Sequence, residues 1–261
     1  MAPLLISSPQ NPRIKRLMLL QQRSQQRRSE QRIVVEGSRE LQHCINAGFK
    51  VETVFYCPSL FDIEKLQIVD FELVEVTPQV YEKIAYRGST EGVIAIVEPR
   101  LLSLDDLELG DNPLIVVLEG VEKPGNIGAV LRSADAAQAT AVVVCDPLTD
   151  LYNPNLIRSS LGSIFTVPCV ACSSIECIKF LKKNNIKILT AQLQDSELYY
   201  HTPMRGATAI VMGTESTGLT QAWREAATAH IRIPMRGMLD SLNVSVSAAI
   251  LLFEAVRQRE L

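Results

Sequence analysis

The chain has 261 residues, of which 47% are hydrophobic and 21% are charged, and its formal net charge is -3. This composition supports a large buried core, and it excludes a chain that is disordered throughout as well as a histone-like polycation. No apolar run approaches the ~18 residues of a membrane span, and the first residues do not show the pattern of a signal peptide. The six cysteines show no disulfide-framework spacing, so we expect reduced thiols, a cytoplasmic location and no membrane contact.

The first 33 residues are strongly basic, with seven Arg or Lys residues and a single acidic one. Ile14, Leu17 and Met18 stand at helical spacing, which predicts an amphipathic helix with its basic side chains outward. A basic segment on an acidic body favours a polyanion such as RNA as partner, although a solvated helix face has the same composition. The RNA-contact residues predicted in this segment are Arg13, Lys15, Arg16, Arg27 and Arg28.

Short strands alternate with helices through the rest of the first hundred residues. The patterns predict strands at 33–36, 51–56, 72–76 and 93–97, and helices at 38–47 and 78–85. Together they indicate a compact α/β domain over residues 1–100. Acidic residues, a glycine and a proline then mark residues 101–112 as a linker.

Continuous apolar runs distinguish the C-terminal part, residues 113–261. They lie at 114–118, 141–145, 186–191, 209–212 and, more briefly, 231–233. Such runs, separated by helical patterns, are typical of strands that are buried on both faces of a parallel sheet. We therefore expect a parallel sheet covered by helices, with ligands beyond the carboxyl ends of its strands.

A glycine-rich turn follows the run at 114–118. Asn126 can cap the helix that begins there, whose apolar stripe includes Ile127, Val130 and Leu131. Arg132 lies off that stripe, either as a surface arginine or as a cation that reaches a phosphate or hydroxyl. The turn has neither Gly-Lys-Ser/Thr nor a complete Gly-x-Gly-x-x-Gly, which argues against a P-loop and against a dinucleotide site.

A second polar loop, residues 213–219, follows the run at 209–212. Glu215 lies in this loop, either as an exposed carboxylate or as a group that orients a cation. Thr214 stands where a nucleophile elbow requires glycine, so a hydrolase with Ser216 as nucleophile is disfavoured.

The cysteines at 169, 172 and 177 raise the question of zinc. A closed zinc site needs four ligands, and the three histidines of the chain are scattered. We therefore predict no metal and interpret these cysteines as small buried apolar groups. The nearby turn at 153–162 contains Arg158, and it is either a tightly packed helix or an RNA-facing surface.

The last polar turn, residues 237–245, leads into an apolar run at 244–256. Asp240, Ser241 and Asn243 can cap the helix predicted there, or their side-chain oxygens and amides can surround a ligand. From the turn alone, a plain helix cap is the simpler interpretation.

These polar segments together resemble the motifs of the SpoU/TrmH branch of the SPOUT RNA methyltransferases. The segments that look like the family's three motifs, in chain order, are residues 118–132, residues 210–219, and residues 233–235 with 241–245. Each motif alone is weak, but their order and spacing are specific. Thr214 departs from the pattern, since asparagine is common there. Residues 158–165 resemble a further stretch of the family, and residues 1–98 look like its substrate-binding domain.

The resemblance implies an α/β fold in which a parallel-sheet SPOUT domain with a deep trefoil knot follows a smaller ribosomal-protein-like domain. It implies S-adenosylmethionine as cofactor, contacted by the backbone at Gly213, Ile233 and Leu242. The acceptor would be a ribose 2′-hydroxyl of structured RNA, foremost 23S-type ribosomal RNA, and the protein would be a homodimer. The alternatives are a transfer RNA substrate and a non-catalytic ribosome-assembly factor on the same fold.

The residues that the resemblance makes catalytic are Asn126, Arg132, Glu215, Ser241 and Asn243. A guanidinium stays protonated at neutral pH, so we expect Arg132 to clamp the RNA and stabilise developing alkoxide charge rather than act as a base. Asn126 and Glu215 would orient Arg132 and its loop, while Ser241 and Asn243 would contact the ribose or shape the cofactor loop. Arg158 joins the predicted RNA contacts.

Overall fold

A computed structural model describes residues 4–66, 71–88 and 91–260 of the chain. Residue contacts divide the chain into two compact units. Unit 1 comprises Met1–Arg100 and Tyr152–Thr166, and unit 2 comprises Leu101–Leu151 and Val167–Leu261. The division differs from the predicted domain at 113–261, because Tyr152–Thr166 packs within unit 1, and from the predicted linker, because residues 101–112 belong to unit 2.

The predicted strands and helices are present, and the chain also has strands at Leu4–Ile6, Cys169–Cys172 and Glu197–Leu198 that the sequence patterns did not predict. The strands are β1 (Leu4–Ile6), β2 (Ile33–Glu36), β3 (Val51–Tyr56), β4 (Glu72–Val76), β5 (Val93–Val97), β6 (Leu114–Glu119), β7 (Ala141–Cys145), β8 (Cys169–Cys172), β9 (Lys187–Ala191), β10 (Glu197–Leu198), β11 (Thr208–Met212) and β12 (Ala229–Arg232). The helices are α1 (Pro12–Gln22), α2 (Ser24–Glu30), α3 (Ser38–Asn46), α4 (Pro78–Ile84), α5 (Pro124–Ala136), α6 (Pro154–Ser159), α7 (Ser163–Thr166), α8 (Ser174–Lys183), α9 (Gln221–Ala226) and α10 (Val244–Glu260). Within the described ranges, none of these helices combines the length and the apolarity that crossing a bilayer requires.

Unit 1 contains a mixed five-stranded sheet in the order β1-β4-β3-β5-β2. Strand β1 runs parallel to β4, which in turn runs parallel to β3, whereas β5 is antiparallel to both β3 and β2. Helix α1 covers this sheet with the fully buried Ile14, Leu17 and Leu20. The helical spacing predicted Ile14 and Leu17, whereas Met18, the third predicted residue, is only partly buried. The Asn11 side chain accepts a hydrogen bond from the Arg13 backbone N–H, which caps the helix ahead of Pro12.

Unit 2 is built on a seven-stranded sheet in the order β10-β12-β9-β11-β6-β7-β8, and each neighbouring pair is parallel. Strands β6, β7 and β11 are buried along their whole length, as the continuous apolar runs predicted. Helix α10 packs beside α5. The buried stripe of α10 at helical spacing consists of Val244, Ala248, Leu251, Leu252 and Ala255.

A buried carboxylate anchors the loops at the carboxyl edge of this sheet. Glu119 ends β6 and is 5% exposed. It accepts hydrogen bonds from the backbone N–H and the hydroxyl of Thr220, at 2.8 and 2.7 Å, and from the Ser174 hydroxyl at 3.2 Å. The buried Trp223 indole donates to that same hydroxyl at 2.9 Å. Because a buried carboxylate is costly unless it is hydrogen-bonded, these contacts hold the starts of α8 and α9 in place.

Candidate active site

A cavity of about 340 Å³ opens at the carboxyl edge of the sheet in unit 2. Its walls come from the segments that follow β9, β11 and β12 and from the turn that precedes α10. This is where an open parallel sheet is expected to bind a ligand, and the volume suits a cofactor-sized molecule. The three predicted cofactor residues, Gly213, Ile233 and Leu242, all line it.

Gly213 shapes one wall of the cavity through a close approach of two backbone segments. The loop after β11 folds back on itself, with the Gly218 N–H donating to the Thr214 carbonyl at 3.1 Å. A Cβ atom at Gly213 would meet the carbonyl group of Gly218, and it would lie 2.7 Å from the Leu219 nitrogen. Only glycine therefore lets this loop close, which explains the residue type that the sequence has there.

Glu215 joins the three motif segments at the rim of the cavity. Its Oε1 atom accepts from the Asn243 side-chain amide at 2.9 Å and from the Asn126 amide at 3.4 Å. The Asn243 amide also donates to Asn126 Oδ1 at 3.1 Å, and the Val244 N–H approaches Glu215 Oε1 at 3.4 Å. The cluster Asn126–Glu215–Asn243 thus places a negative charge at the start of α10, where the helix dipole favours it.

The polar turn that precedes α10 serves both as helix cap and as cavity wall. Asn243 Oδ1 accepts from the backbone N–H and the hydroxyl of Ser245, at 3.0 and 2.6 Å, so this asparagine caps α10. Ser241 lines the cavity, and its hydroxyl donates to Asp240 Oδ1 at 3.2 Å. The two interpretations of this turn are therefore compatible.

Two further cavity residues carry buried polar atoms that lack a hydrogen-bond partner within the described part of the chain. They are the acceptor Gln192 Oε1 and the donor Arg224 Nε. A buried unsatisfied donor or acceptor is costly, so both atoms indicate a ligand that carries donors and acceptors of its own. S-adenosylmethionine, with amine and carboxylate groups, fits this requirement. Sequence reasoning missed both residues because they lie outside the motif segments. The position of Gln192 directly after β9 was its only signal, and Arg224, within α9, had none.

Arg132 does not reach the cavity within a single chain. It lies on the exposed side of α5 and is absent from the cavity lining. No hydrogen bond or ion pair joins its side chain to another residue of the described ranges. The structure therefore leaves its guanidinium available to a partner outside this chain.

The comparisons with known proteins agree with this geometry. A model of the SpoU rRNA Methylase family matches residues 113–253. The 23S rRNA (guanosine-2'-O-)-methyltransferase RlmB of Vibrio vulnificus is 35% identical over 204 residues, which cover 76% of this chain and 82% of that protein. The chain belongs to the SpoU rRNA methylase family. This confirms the resemblance drawn from the three motifs, and the family fold implies the trefoil knot in unit 2.

Solved structures of family members extend the match to both units. An RNA 2'-O ribose methyltransferase is 40% identical with a TM-score of 0.87, over 99% of this chain and 100% of that one. The SpoU methyltransferase AviRb from Streptomyces viridochromogenes, in complex with the cofactor AdoMet, is 28% identical with a TM-score of 0.89, over 96% of this chain and 99% of that one. An MRM3-like substrate binding domain model matches residues 11–95.

The basic residues predicted to contact RNA differ in their surroundings. Arg13 pairs with Glu72 at 2.5 Å, and Arg16 pairs with Glu30 and Glu52, each at 2.6 Å. Burial opposes ionisation of Glu52, but hydrogen bonds from Arg16 and Arg32 lower the pKa of that carboxyl below its usual value. These arginines therefore already have anionic partners in unit 1.

Arg27 requires a correction, because it is buried rather than on the RNA-facing surface. It is 4% exposed, and its guanidinium donates to the carbonyl groups of Leu20 at 2.6 Å and Gln21 at 3.1 Å. These carbonyls lie in the last turn of α1, so Arg27 stabilises the end of that helix. Lys15, Arg28 and Arg158 are exposed and keep their predicted role as a hypothesis.

The cysteines that are close in the sequence are not the ones that come together in the folded chain. Cys169 and Cys172 lie three residues apart on β8, so their side chains point to opposite faces of the sheet. Cys172 instead lies beside Cys145 and Cys177, and the three Sγ atoms are all within 4.8 Å of one another. The thiols that cluster in the structure are therefore those of Cys145 on β7, Cys172 on β8 and Cys177 on α8, rather than the Cys169–Cys172 pair.

Proposed function

We propose that the protein transfers a methyl group from S-adenosylmethionine to a ribose 2′-hydroxyl of ribosomal RNA. The observation that carries this proposal is the Asn126–Glu215–Asn243 cluster, which joins the three motif segments at the rim of a cofactor-sized cavity. The ribosomal RNA acceptor follows the 23S rRNA methyltransferases that the chain resembles. The absence of a membrane-spanning helix in the described ranges and six unpaired cysteines support a cytoplasmic location.

The residues of the cavity would act mainly by positioning. S-adenosylmethionine, when bound, supplies an electrophilic methyl group. Gln192 and Arg224 would satisfy their buried polar atoms on the cofactor, while the backbone at Gly213, Ile233 and Leu242 would hold it in the cavity. Holding both reactants in line can lower a barrier by several kcal/mol, or about 7–11 kcal/mol in the best intramolecular cases.

The remaining motif residues would act on the RNA. Asn126 and Glu215, held by their mutual hydrogen bond, would fix the loop against which the ribose docks. Ser241, at the cavity wall, would hydrogen-bond the acceptor ribose, whereas Asn243 would keep α10 and the Glu215 loop together. Arg132 would bind the RNA phosphate and stabilise negative charge on the 2′-oxygen as its proton leaves.

A homodimer is part of the proposal, supported by a second apolar stripe on α10. Val246 and Phe253, spaced two turns apart, are 47% and 49% exposed, and Ile250 lies between them on the same side. A second copy of the chain that covers this stripe would also bring a free Arg132 from its own α5 towards the partner's surface. Light scattering of the purified protein measures this directly, and a monomeric mass contradicts the dimer.

Mapping of 2′-O-methyl groups tests the reaction itself. Ribosomal and transfer RNA from cells with and without the gene are compared by a method that detects 2′-O-methylation at single nucleotides. We expect one site in large-subunit ribosomal RNA to lose its methyl group, and the purified protein with S-adenosylmethionine to restore it. Unchanged ribosomal RNA together with a site lost from transfer RNA would reject the ribosomal substrate, and no loss in either RNA would reject the enzyme.

Removal of the exposed cations Lys15 and Arg28 is expected to weaken RNA binding. The affinity for RNA falls as salt rises, and a plot of log affinity against log salt has a negative slope. Each phosphate that the protein no longer neutralises makes this slope less steep by about 0.7–0.9. The double alanine variant should therefore reduce the slope by about 1.5, measured with a ribosomal RNA fragment at several salt concentrations. The matched control replaces Lys182 and Lys183, two exposed lysines of α8, and should keep the slope of the unmodified protein. An unchanged slope in the Lys15/Arg28 variant would show that Lys15 and Arg28 do not contact the RNA. Arg27→Ala, in contrast, should lower the thermal stability of the protein.

A further inference from the structure

Three thiols converge at the edge of the sheet in unit 2, away from the cavity of the proposed active site. Cys145 ends β7 and Cys172 ends β8, and the two residues are register partners on adjacent parallel strands. Cys177 lies one turn into α8, whose start is fixed by the reciprocal hydrogen bonds between Ser173 and Glu176. None of the three cysteines lines the cavity at the sheet's carboxyl edge.

The cluster has a buried side and an accessible side. Cys145 and Cys177 are fully buried among the apolar side chains under α8, whereas Cys172 is partly exposed. The thiols of Cys145 and Cys177 lie within hydrogen-bonding reach of the Cys172 sulfur. The carboxylates of Asp146 and Glu176 lie close enough to act on it electrostatically, and they add negative charge on the accessible side.

We propose that Cys145, Cys172 and Cys177 form a binding site for a thiophilic metal ion such as Zn²⁺, held by three thiolates. A Zn–S bond is about 2.3 Å long, so the sulfurs around one tetrahedral ion lie about 3.8 Å apart. The Sγ atoms already lie within 4.8 Å of one another, so small side-chain rotations complete the triangle. The open fourth position faces the partly exposed side, where water can coordinate the ion. Binding releases the thiol protons to solvent and requires no oxidant.

All three sulfurs contribute to this site, which distinguishes it from a disulfide. A disulfide would use two of the sulfurs and would require them to approach to about 2.05 Å within packed strands. A metal ion would instead bridge β7, the edge strand β8 and α8. Its expected effect is therefore structural: it would hold the outermost strand of the sheet to its neighbour and to the helix that covers it.

The test uses the full-length protein, stripped of metal with a chelator and kept reduced. Zn²⁺ is titrated in competition with a chromogenic chelator, and Co²⁺ is titrated to detect sulfur-to-metal charge-transfer absorption. We expect one ion per chain and a higher melting temperature with Zn²⁺. Cys172→Ser, at the partly exposed position, should weaken binding by more than about 100-fold, because even loss of a group that only supports a ligand costs about 10–100-fold.

Cys169→Ser provides the matched control, since Cys169 lies on the same strand with its side chain on the opposite face. This variant should bind one ion as tightly as the unmodified protein. Cys177→Ser is the second variant, and its melting temperature without metal shows whether it folds. The proposal is overturned if the unmodified protein binds no Zn²⁺, if Cys172→Ser keeps the affinity, or if mass spectrometry after mild peroxide treatment finds a Cys172 disulfide in a protein that takes up no metal.

Discussion

Arg132→Ala is expected to abolish methyl transfer and leave S-adenosylmethionine binding intact. The side chain is exposed on α5, does not line the cavity and pairs with no other residue of the described ranges. Its loss therefore removes an interaction with RNA without disturbing the cofactor. Removal of one preorganised donor to a developing oxyanion costs about 100- to 1,000-fold in rate, so we expect at least that reduction in single-turnover methylation. Calorimetry with S-adenosylmethionine should give an unchanged affinity.

Two further variants sharpen this prediction. Arg132→Lys keeps the charge but loses the planar fork of donors, so it should retain part of the activity. If Arg132 were the general base instead, the lysine variant would shift the pH–rate profile towards the lower pKa of an ammonium. Arg205→Ala, at another exposed arginine of unit 2, should leave the rate unchanged. Methylation by Arg132→Ala at the rate of the unmodified protein would reject the assignment.

Gly213→Ala is expected to remove cofactor binding, with a loss of affinity of at least about 100-fold. The added Cβ would meet the backbone of Gly218 and Leu219, and backbone atoms cannot move aside as the end of a side chain can. The loop of residues 214–218 must therefore open, which displaces Glu215 and the wall that it supports. Calorimetry with S-adenosylmethionine measures the loss.

Gly206→Ala is the control for this substitution. A Cβ at Gly206 would have no atom within 4 Å, so this variant should bind the cofactor normally and fold with the same circular dichroism. Gly213→Ala should also fold, because the clash lies in a loop at the end of β11 rather than within the sheet. Normal cofactor affinity in Gly213→Ala would show that the close approach at this glycine is not required for the cavity.

The sequence predicted the strands and helices whose apolar residues follow a strong local pattern. Continuous apolar runs located β6, β7 and β11, and helical spacing located α1 and α5 within a few residues. Strand β1 has only three residues, too few for a periodic pattern, and its pairing with β4 comes from tertiary contact. Strand β10, with two residues, was missed for the same reason.

The site was predictable to the extent that its residues lie in the three motifs. The resemblance named Asn126, Glu215 and Asn243 as site residues, but it did not predict that their side chains bond to one another. Gln192 and Arg224 stand outside the motifs, so only the folded cavity reveals their unsatisfied atoms. Arg27 was misassigned because a charged residue in a basic segment is usually exposed, whereas here tertiary packing buries it against the end of α1.

The hydrogen bond between Asn126 and Asn243 spans 117 positions of the chain. Closing a loop of that length costs configurational entropy before any contact compensates for it. During synthesis, Asn243 and α10 emerge long after β6 and α5, so a nascent chain that ends before α10 has no finished cavity rim. We therefore expect the protein to bind S-adenosylmethionine only after helix α10 has been synthesised and has packed beside α5.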